Sequence, residues 1–142
     1  MEENKFIALS IVVPLYNEEP VIDELLQRLT VVAATITPHY EIILINDASR
    51  DSTLLKIKSA CVSDPHISYL SFSRNFGHQI AISAGMNHAK GNAIITIDGD
   101  LQDPPELMGE MYKKFLEGYK VVYAKRGIRK GETLFSRPSK SL

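Results

Sequence analysis

An α/β fold on a mostly parallel, doubly wound sheet is what this sequence predicts, and three observations predict it. Short apolar runs alternate with stretches of helical apolar spacing along most of the chain. The runs are nearly continuous in apolar residues, the pattern of strands buried on both faces. Each of the first four runs also ends in polar residues, which the fold would gather along one edge of the sheet.

The elements follow in order. Ile7 to Pro14 is an apolar, β-rich run closed by Pro14. From Val21 to Ile36 the apolar positions fall at helical spacing, with Pro20 suited to the first turn and Glu18, Glu19, Asp23 and Glu24 to its positive end. A second run, Glu41 to Ile45, ends at Asn46-Asp47, and Asp51-Ser52-Thr53 can cap a helix running to about Ser63. A third run, Ile67 to Phe72, stops before Ser73-Arg74-Asn75. A helix from about Gln79 to Lys90 follows and is ended by Gly91. The fourth run, Ala93 to Ile97, leads into Asp98-Gly99-Asp100. Asp103 and Glu106 make a capping box with Pro104 at the first helical position, and that helix ends at Gly118. Lys120 to Ala124 reads as a fifth strand of the same sheet. The tail from Lys125 to Leu142, rich in Lys and Arg and poor in apolar residues, reads as loop or disorder. Because nothing caps the fifth strand, the chain reads as cut within a larger fold.

The bulk numbers narrow the class. At 142 residues and 44% hydrophobic content this is one ordinary globular domain. A net charge of −1 supplies no basic field for nucleic acid. The lone Cys61 excludes an internal disulfide and a cysteine-based zinc site, and it reads as a small buried hydrophobe. His39, His66, His78 and His88 lack metal-ligand spacing. The acidic N-terminus is unlike a signal peptide, and no apolar run reaches the ~18 residues that span a bilayer, so a soluble, cytoplasmic domain is expected. Neither a phosphate-binding Gly-rich lysine loop, nor a dinucleotide Gly-x-Gly-x-x-Gly, nor a nucleophile elbow is present in the sequence.

Chemistry is expected at the strand tips. Asp98 and Asp100 stand two residues apart at the end of a strand and can converge on one target. The target that fits is a hard divalent cation, which takes carboxylates, water and phosphate oxygens. Gly99 between them allows a tight turn and the close approach of a ligand. Asp47 could bind a base or ribose, or serve as a turn acid. Tyr16 could stack on a nucleobase or pack, Glu18 could reach a base edge or merely suit a helix start, and Arg74 could pair with phosphate or lie on the surface. Helix capping explains Asp103 and Asp51.

Four motifs together carry a resemblance. They are Val12-Val13-Pro14-Leu15-Tyr16-Asn17-Glu18-Glu19, Asn46-Asp47-Ala48-Ser49-Arg50-Asp51-Ser52-Thr53, Ser73-Arg74-Asn75-Phe76-Gly77-His78, and Asp98-Gly99-Asp100-Leu101-Gln102-Asp103-Pro104-Pro105-Glu106. In this order the chain, from about Ser10 to Arg126, resembles family 2 glycosyltransferases of the GT-A fold, a Rossmann-like three-layer sandwich. It is most similar to polyprenyl-phosphate sugar synthases of the dolichol-phosphate mannose synthase and bactoprenol glucosyltransferase type. The resemblance implies metal-dependent, inverting transfer from a UDP- or GDP-linked sugar to a lipid phosphate, in cell-envelope glycan synthesis at the inner face of a membrane. It implies Mg²⁺ or Mn²⁺ as cofactor. It implies that Pro14, Tyr16, Glu18, Asp47 and Asp98 contact the nucleotide, that Asp100 with Asp98 holds the metal, and that Gln102 and Arg74 lie near the diphosphate or sugar.

Two departures qualify it. Ala48 stands where glycine is more usual, which stiffens the turn. Family members also continue well past this length, with an acceptor-site general base and a membrane attachment, and no convincing base follows Glu117 here except Glu132. Residues 1–126 are therefore expected to form the nucleotide-sugar-binding part, and 127–142 a basic tail that starts an incomplete acceptor loop. The rival readings are a non-catalytic nucleotide-binding fragment, and a receiver-like domain with Asp98 as phosphoacceptor. The second lacks the acidic pair needed after the first strand, where Pro14-Leu15-Tyr16 stands.

Overall fold

The computed structural model describes residues 5–121, 124–126, 133–135 and 139–140. Four parallel strands form the main sheet: β1 (Leu9–Leu15), β2 (Tyr40–Asn46), β3 (Ile67–Ser71) and β4 (Ala93–Thr96), in the order β3-β2-β1-β4. They are joined by α1 (Ile22–Ile36), α2 (Thr53–Ser63) and α3 (His78–His88). A 3₁₀ turn at Pro105–Leu107 then leads into α4 (Met108–Leu116).

The strand order makes the sheet doubly wound. The chain moves outward from β1 to β2 to β3, then crosses back to add β4 on the far side of β1. With right-handed crossovers, reversing direction places the next helix on the opposite face. The side chains agree. On one face Leu9, Ile11, Val13 and Leu15 of β1 join Ile42 and Leu44 of β2, under α1, Ile57 of α2 and Met108 of α4. On the other face Val12, Ile43 and Ile45 meet Ala81 of α3. Alternate residues of one strand thus feed two cores, which is why β1 reads as an unbroken apolar run. The topological switch lies between β1 and β4, where ligands of such sheets bind.

The helices follow their apolar spacing. Ile22, Leu25, Leu26, Leu29 and Ala33 of α1 are buried as one stripe, and Asp23 and Glu24 occupy its positive first turn. In α3 only Ala81 and Gly85 are buried. A Cβ on Gly85 would stand 2.3 Å from Val12 Cγ1 and 2.7 Å from Ile45 Cδ1, so glycine sets how closely this helix lies on the sheet. Cys61 is only partly buried, and it packs against the larger core.

Three expectations change. The fifth strand does not join the parallel sheet among the described residues. Instead β5 (Tyr119–Val121) pairs antiparallel with β8 (Ser139–Lys140), and β6 (Ala124–Arg126) with β7 (Thr133–Phe135). An apolar run favours extended backbone but names neither partner nor direction, and an antiparallel partner needs only a return of the chain. The tail read as loop therefore contains paired strands; Glu132 and the rest of 127–132 lie outside the described residues. Second, the turn before α4 begins one residue late, with Pro104 in the capping position, Pro105 at the first turn, and the Glu106 carboxylate paired with Arg28. Third, α3 starts at His78 rather than Gln79. No helix among the described residues is long and apolar enough to cross a membrane.

Candidate functional site

The four loops that leave the tips of β1 to β4 surround a cleft of about 400 Å³ at the switch point. Every one of them carries a residue in the left-handed region: Asn17 (φ 52°), Ala48 (φ 58°), Gly77 (φ 100°) and Leu101 (φ 62°). Among the described residues only Gly118 shares this conformation elsewhere. Such backbone costs an L-residue free energy and persists where surrounding bonds impose it. Ala48 stands in a conformation that glycine adopts without penalty.

Those bonds are visible. Asn17 N–H donates to Ser49 Oγ (3.0 Å), and Arg50 N–H donates back to Asn17 Oδ1 (2.7 Å). Glu18 N–H donates to Thr53 Oγ1 at 2.9 Å and Glu19 N–H to Asp51 Oδ2 at 3.2 Å. Asp51 Oδ1 in turn accepts from the Thr53 amide (3.0 Å) and hydroxyl (2.6 Å). The loop after β1 is thereby fastened along the loop after β2. Asp47, only 4% exposed, fastens the third. Its Oδ1 accepts from Phe76 N–H at 2.7 Å, its Oδ2 from Gly77 N–H at 3.0 Å, and its carbonyl from Asn75 Nδ2 at 3.1 Å.

The cleft wall includes Pro14, Tyr16 and Glu18 from the first tip, Asp47 from the second, and Asp98, Gly99 and Asp100 from the fourth. Asn75, Gly77, His78 and Ala81 line it from the α3 side. Six residues expected at a site therefore meet there: Pro14, Tyr16, Glu18, Asp47, Asp98 and Asp100. Arg74 and Gln102 are outside the lining. The Arg74 guanidinium sits 4.3 Å from the centre of the Phe76 ring, a cation–π contact. Gln102 N–H donates to Asp100 Oδ1 at 3.1 Å, which holds the carboxylate at its own turn.

Gly99 has a different reason for being glycine from the one expected. A Cβ there would stand 2.3 Å from Leu15 Cδ2 and 3.0 Å from the Pro14 carbonyl oxygen. The acidic turn packs directly onto the end of β1, and that contact brings Asp98 and Asp100 beside Tyr16 and Glu18. His78 is the lining residue that sequence reasoning missed. Its Nε2 lies 3.3 Å from Asp98 Oδ1. The available signal was its place immediately after Gly77, in a motif already assigned to a strand tip.

The cleft is acidic. Glu18, Asp47, Asp98 and Asp100 line it, and no Lys or Arg does. Burial, then the neighbouring Asp100 and Asp51 carboxylates, push the Glu18 carboxyl above its usual range. Among the described residues no group of three or more His, Cys, Asp or Glu side chains is placed to hold a metal unaided. Two carboxylates with open coordination positions suit a hard cation that keeps water and takes further oxygens from a phosphate ligand. A Cys/His-type zinc cage finds no thiolate and only one imidazole, His78, among the lining residues.

Comparison with known proteins agrees with this geometry. The profile of the family described as Glycosyl transferase family 2 matches residues 10–142. The chain is 51% identical over 139 residues to the uncharacterized glycosyltransferase YkcC of Bacillus subtilis (strain 168), covering 98% of this chain and 43% of that protein. It is 42% identical over 133 residues to an undecaprenyl-phosphate 4-deoxy-4-formamido-L-arabinose transferase of Shewanella sediminis (strain HAW-EB3), covering 93% and 40%. The chain thus spans about two fifths of the length of these relatives. Among solved structures it resembles S. aureus TarS 1-349, with TM-score 0.63 and 22% identity, over 78% of this chain and 32% of that one. It also resembles the mannosyltransferase PcManGT from Pyrobaculum calidifontis in complex with GDP-Man and Mn²⁺, with TM-score 0.62 and 21% identity, over 76% and 32%. These likenesses establish a GT-A-like α/β fold, and with the profile match the chain belongs to glycosyltransferase family 2.

Proposed function

We infer that this chain forms the donor half of an inverting glycosyltransferase that takes a sugar from a nucleoside-diphosphate sugar. The acceptor would be a polyprenyl phosphate at the cytoplasmic face of a membrane, during cell-envelope glycan synthesis. The observation that carries the donor reading is the cleft itself: four carboxylates around the switch point, with no Lys or Arg in the lining. A diphosphate cannot enter such a field unaccompanied. It needs a divalent cation, and Asp98 and Asp100 are the carboxylates placed to share one.

In this reading Asp98 and Asp100 hold Mg²⁺ or Mn²⁺, which when bound would neutralise the diphosphate and help it leave. Pro14, Tyr16, Glu18 and Asp47 form the nucleoside end: Tyr16 offers a ring face and Asp47 an acceptor. Both Asp47 oxygens already receive backbone N–H groups, so its role for the base adds to a structural one. Arg74, once turned from Phe76, and Gln102, whose backbone N–H fastens the Asp100 turn, serve the diphosphate or sugar. An acceptor that is a phosphate is already ionised and needs little help from a general base. The undecaprenyl-phosphate transferase among the relatives and the nucleotide complexes among the related structures support this reading. Residues 1–126 are the donor-binding part, and 127–142 the beginning of the acceptor loop.

Calorimetry with UDP and GDP, with and without Mn²⁺, tests it. At least one nucleotide binds in Mn²⁺, and Asp100→Asn weakens that binding at least about tenfold, the scale on which metal-site groups act. Failure of both nucleotides to bind in Mn²⁺ overturns the reading. Binding without sugar transfer to polyprenyl phosphate selects the alternative, a non-catalytic nucleotide-binding fragment.

A further inference from the structure

We propose that His78 is a positioning residue of the site: its Nε2–H engages Asp98 and holds that carboxylate turned into the cleft, toward the cation that a nucleoside diphosphate brings. This rests on reading the cleft as a nucleotide-diphosphate site. Three observations carry it. The first is the contact, 3.3 Å from His78 Nε2 to Asp98 Oδ1, between the start of α3 and the exit of β4. These elements come from opposite sides of the switch point, so the contact closes the cleft across it.

The second is the support behind each partner. His78 is the first residue of α3, and the two residues before it are pinned by their N–H bonds to the buried Asp47 carboxylate. Gly77, at φ 100°, makes the turn that aims the chain into the helix, and Ala81 N–H closes the first turn on the Gly77 carbonyl at 3.1 Å. On the other side Ile97 N–H makes the last bond to Val12 O at 3.1 Å, so Asp98 follows directly on a fixed strand end. The imidazole thus stands on a rigid base that Asp47 maintains, and Asp98 can be turned by it.

The third is the charge of the neighbourhood. The groups lining the cleft beside His78 are Glu18, Asp47, Asp98 and Asp100, and its imidazole is the one basic side chain among the lining residues. Asp100 has its own holder, the Gln102 N–H. Asp98 needs an equivalent, because two carboxylates two residues apart repel and would otherwise turn away from each other. A ligating carboxylate held by an outer hydrogen-bond donor presents its remaining lone pairs in one direction, and such outer partners govern metal affinity.

Two variants separate this from a merely structural role. His78→Ala removes the donor, and His78→Gln replaces Nε2–H with an amide N–H at similar reach. In calorimetry with Mn²⁺ plus UDP or GDP, His78→Ala binds about tenfold more weakly than wild type and His78→Gln recovers most of the loss, with ligand-free melting temperatures unchanged. Equal binding by wild type and His78→Ala overturns the proposal, as does a Gln variant as weak as the Ala variant. A second measurement needs no ligand. Imidazole ¹⁵N NMR of the ligand-free chain finds His78 in the Nε2–H form, with its Nε2 resonance displaced by Asp98→Asn; an unmoved resonance overturns the contact. Wild type that binds neither nucleotide, while the resonance does move, overturns the donor-site reading and upholds the contact.

Discussion

Asp51 does not line the cleft, yet it sets how two of the cleft loops meet. Its carboxylate accepts from both donors of Thr53 and from the backbone of Glu19, while Thr53 itself, fully buried, accepts from Glu18. Burial tends to raise the Asp51 carboxyl, but the Thr53 hydroxyl and the surrounding backbone N–H bonds outweigh it and hold the group below its usual range. A carboxyl whose pKa is lowered by folding contributes stability that is present above its unfolded pKa. That stability is lost as pH falls through the folded value. Asp51→Asn is therefore expected to cost about 1 kcal/mol at pH 7, in the range of lost caps. The gap to wild type narrows as the pH drops below about 4, where the unfolded chain protonates first, and closes below the lower folded value, where both states are protonated. Thermal melts of the two proteins across pH 3 to 7 check this (melting temperatures differing most at pH 7), and a gap that does not depend on pH would show that the charge is not what matters. The sequence marked Asp51 as a helix cap; the cap position is Ser52, and Asp51 binds Thr53 from one residue earlier. Its grip on the neighbouring loop was not legible there, because Asn17–Ser49, Glu18–Thr53 and Glu19–Asp51 join residues more than thirty positions apart.

At the scale of elements, α3 decides most. It is the helix that covers the second face of the sheet, and its first turn brings Gly77, His78 and Ala81 to the cleft. Its spacing on the sheet depends on Gly85, which faces Val12 and Ile45 with no room for a methyl group. Gly85→Ala overpacks that contact and is expected to destabilise by about 1–3 kcal/mol. Because the helix moves as a unit, it also shifts His78 from Asp98 and weakens nucleotide binding. A Gly85→Ala protein that melts lower but binds Mn²⁺ and nucleotide as wild type does would show that the cleft tolerates the shift. Differences between elements also explain what could be read in advance. The strands β1 and β2 and helix α1 announce themselves by buried apolar stripes, since packing and local preference coincide there. Only two residues of α3 are buried, so its apolar pattern is weak, and its start at His78 is set by Gly77 and by Asp47 from another strand. The short strands after Tyr119 depend on partners far along the chain, which a local apolar run does not identify.

On the scale of the whole molecule, the switch-point cleft joins both halves of the sheet: β1 and β2 supply one wall, α3 and β4 the others. Its loops are held in left-handed turns by bonds between them rather than by regular structure. Its carboxylates repel, and burial first, then Asp100 and Asp51, hold Glu18 above its usual range. An empty cleft is thus an electrostatic burden on the fold, and a ligand that brings a cation removes it. A ligand that binds only the folded state stabilises by RT ln(1 + [L]/Kd), about 2.7 kcal/mol at a hundredfold excess over Kd. For a domain of this size that corresponds to a rise in melting temperature of about 8 °C. The expected order follows from charge. Mn²⁺ with UDP or GDP raises the melting temperature most. Mn²⁺ alone, held by two carboxylates, raises it less, and nucleotide alone, meeting four carboxylates, changes it least. In Asp100→Asn the advantage of the combination over nucleotide alone is lost, because the cation no longer has its pair of ligands. Differential scanning fluorimetry of both proteins in the four conditions measures it. A nucleotide that stabilises the wild type equally with and without Mn²⁺ would mean that the acidic strand tips do not bind through a cation.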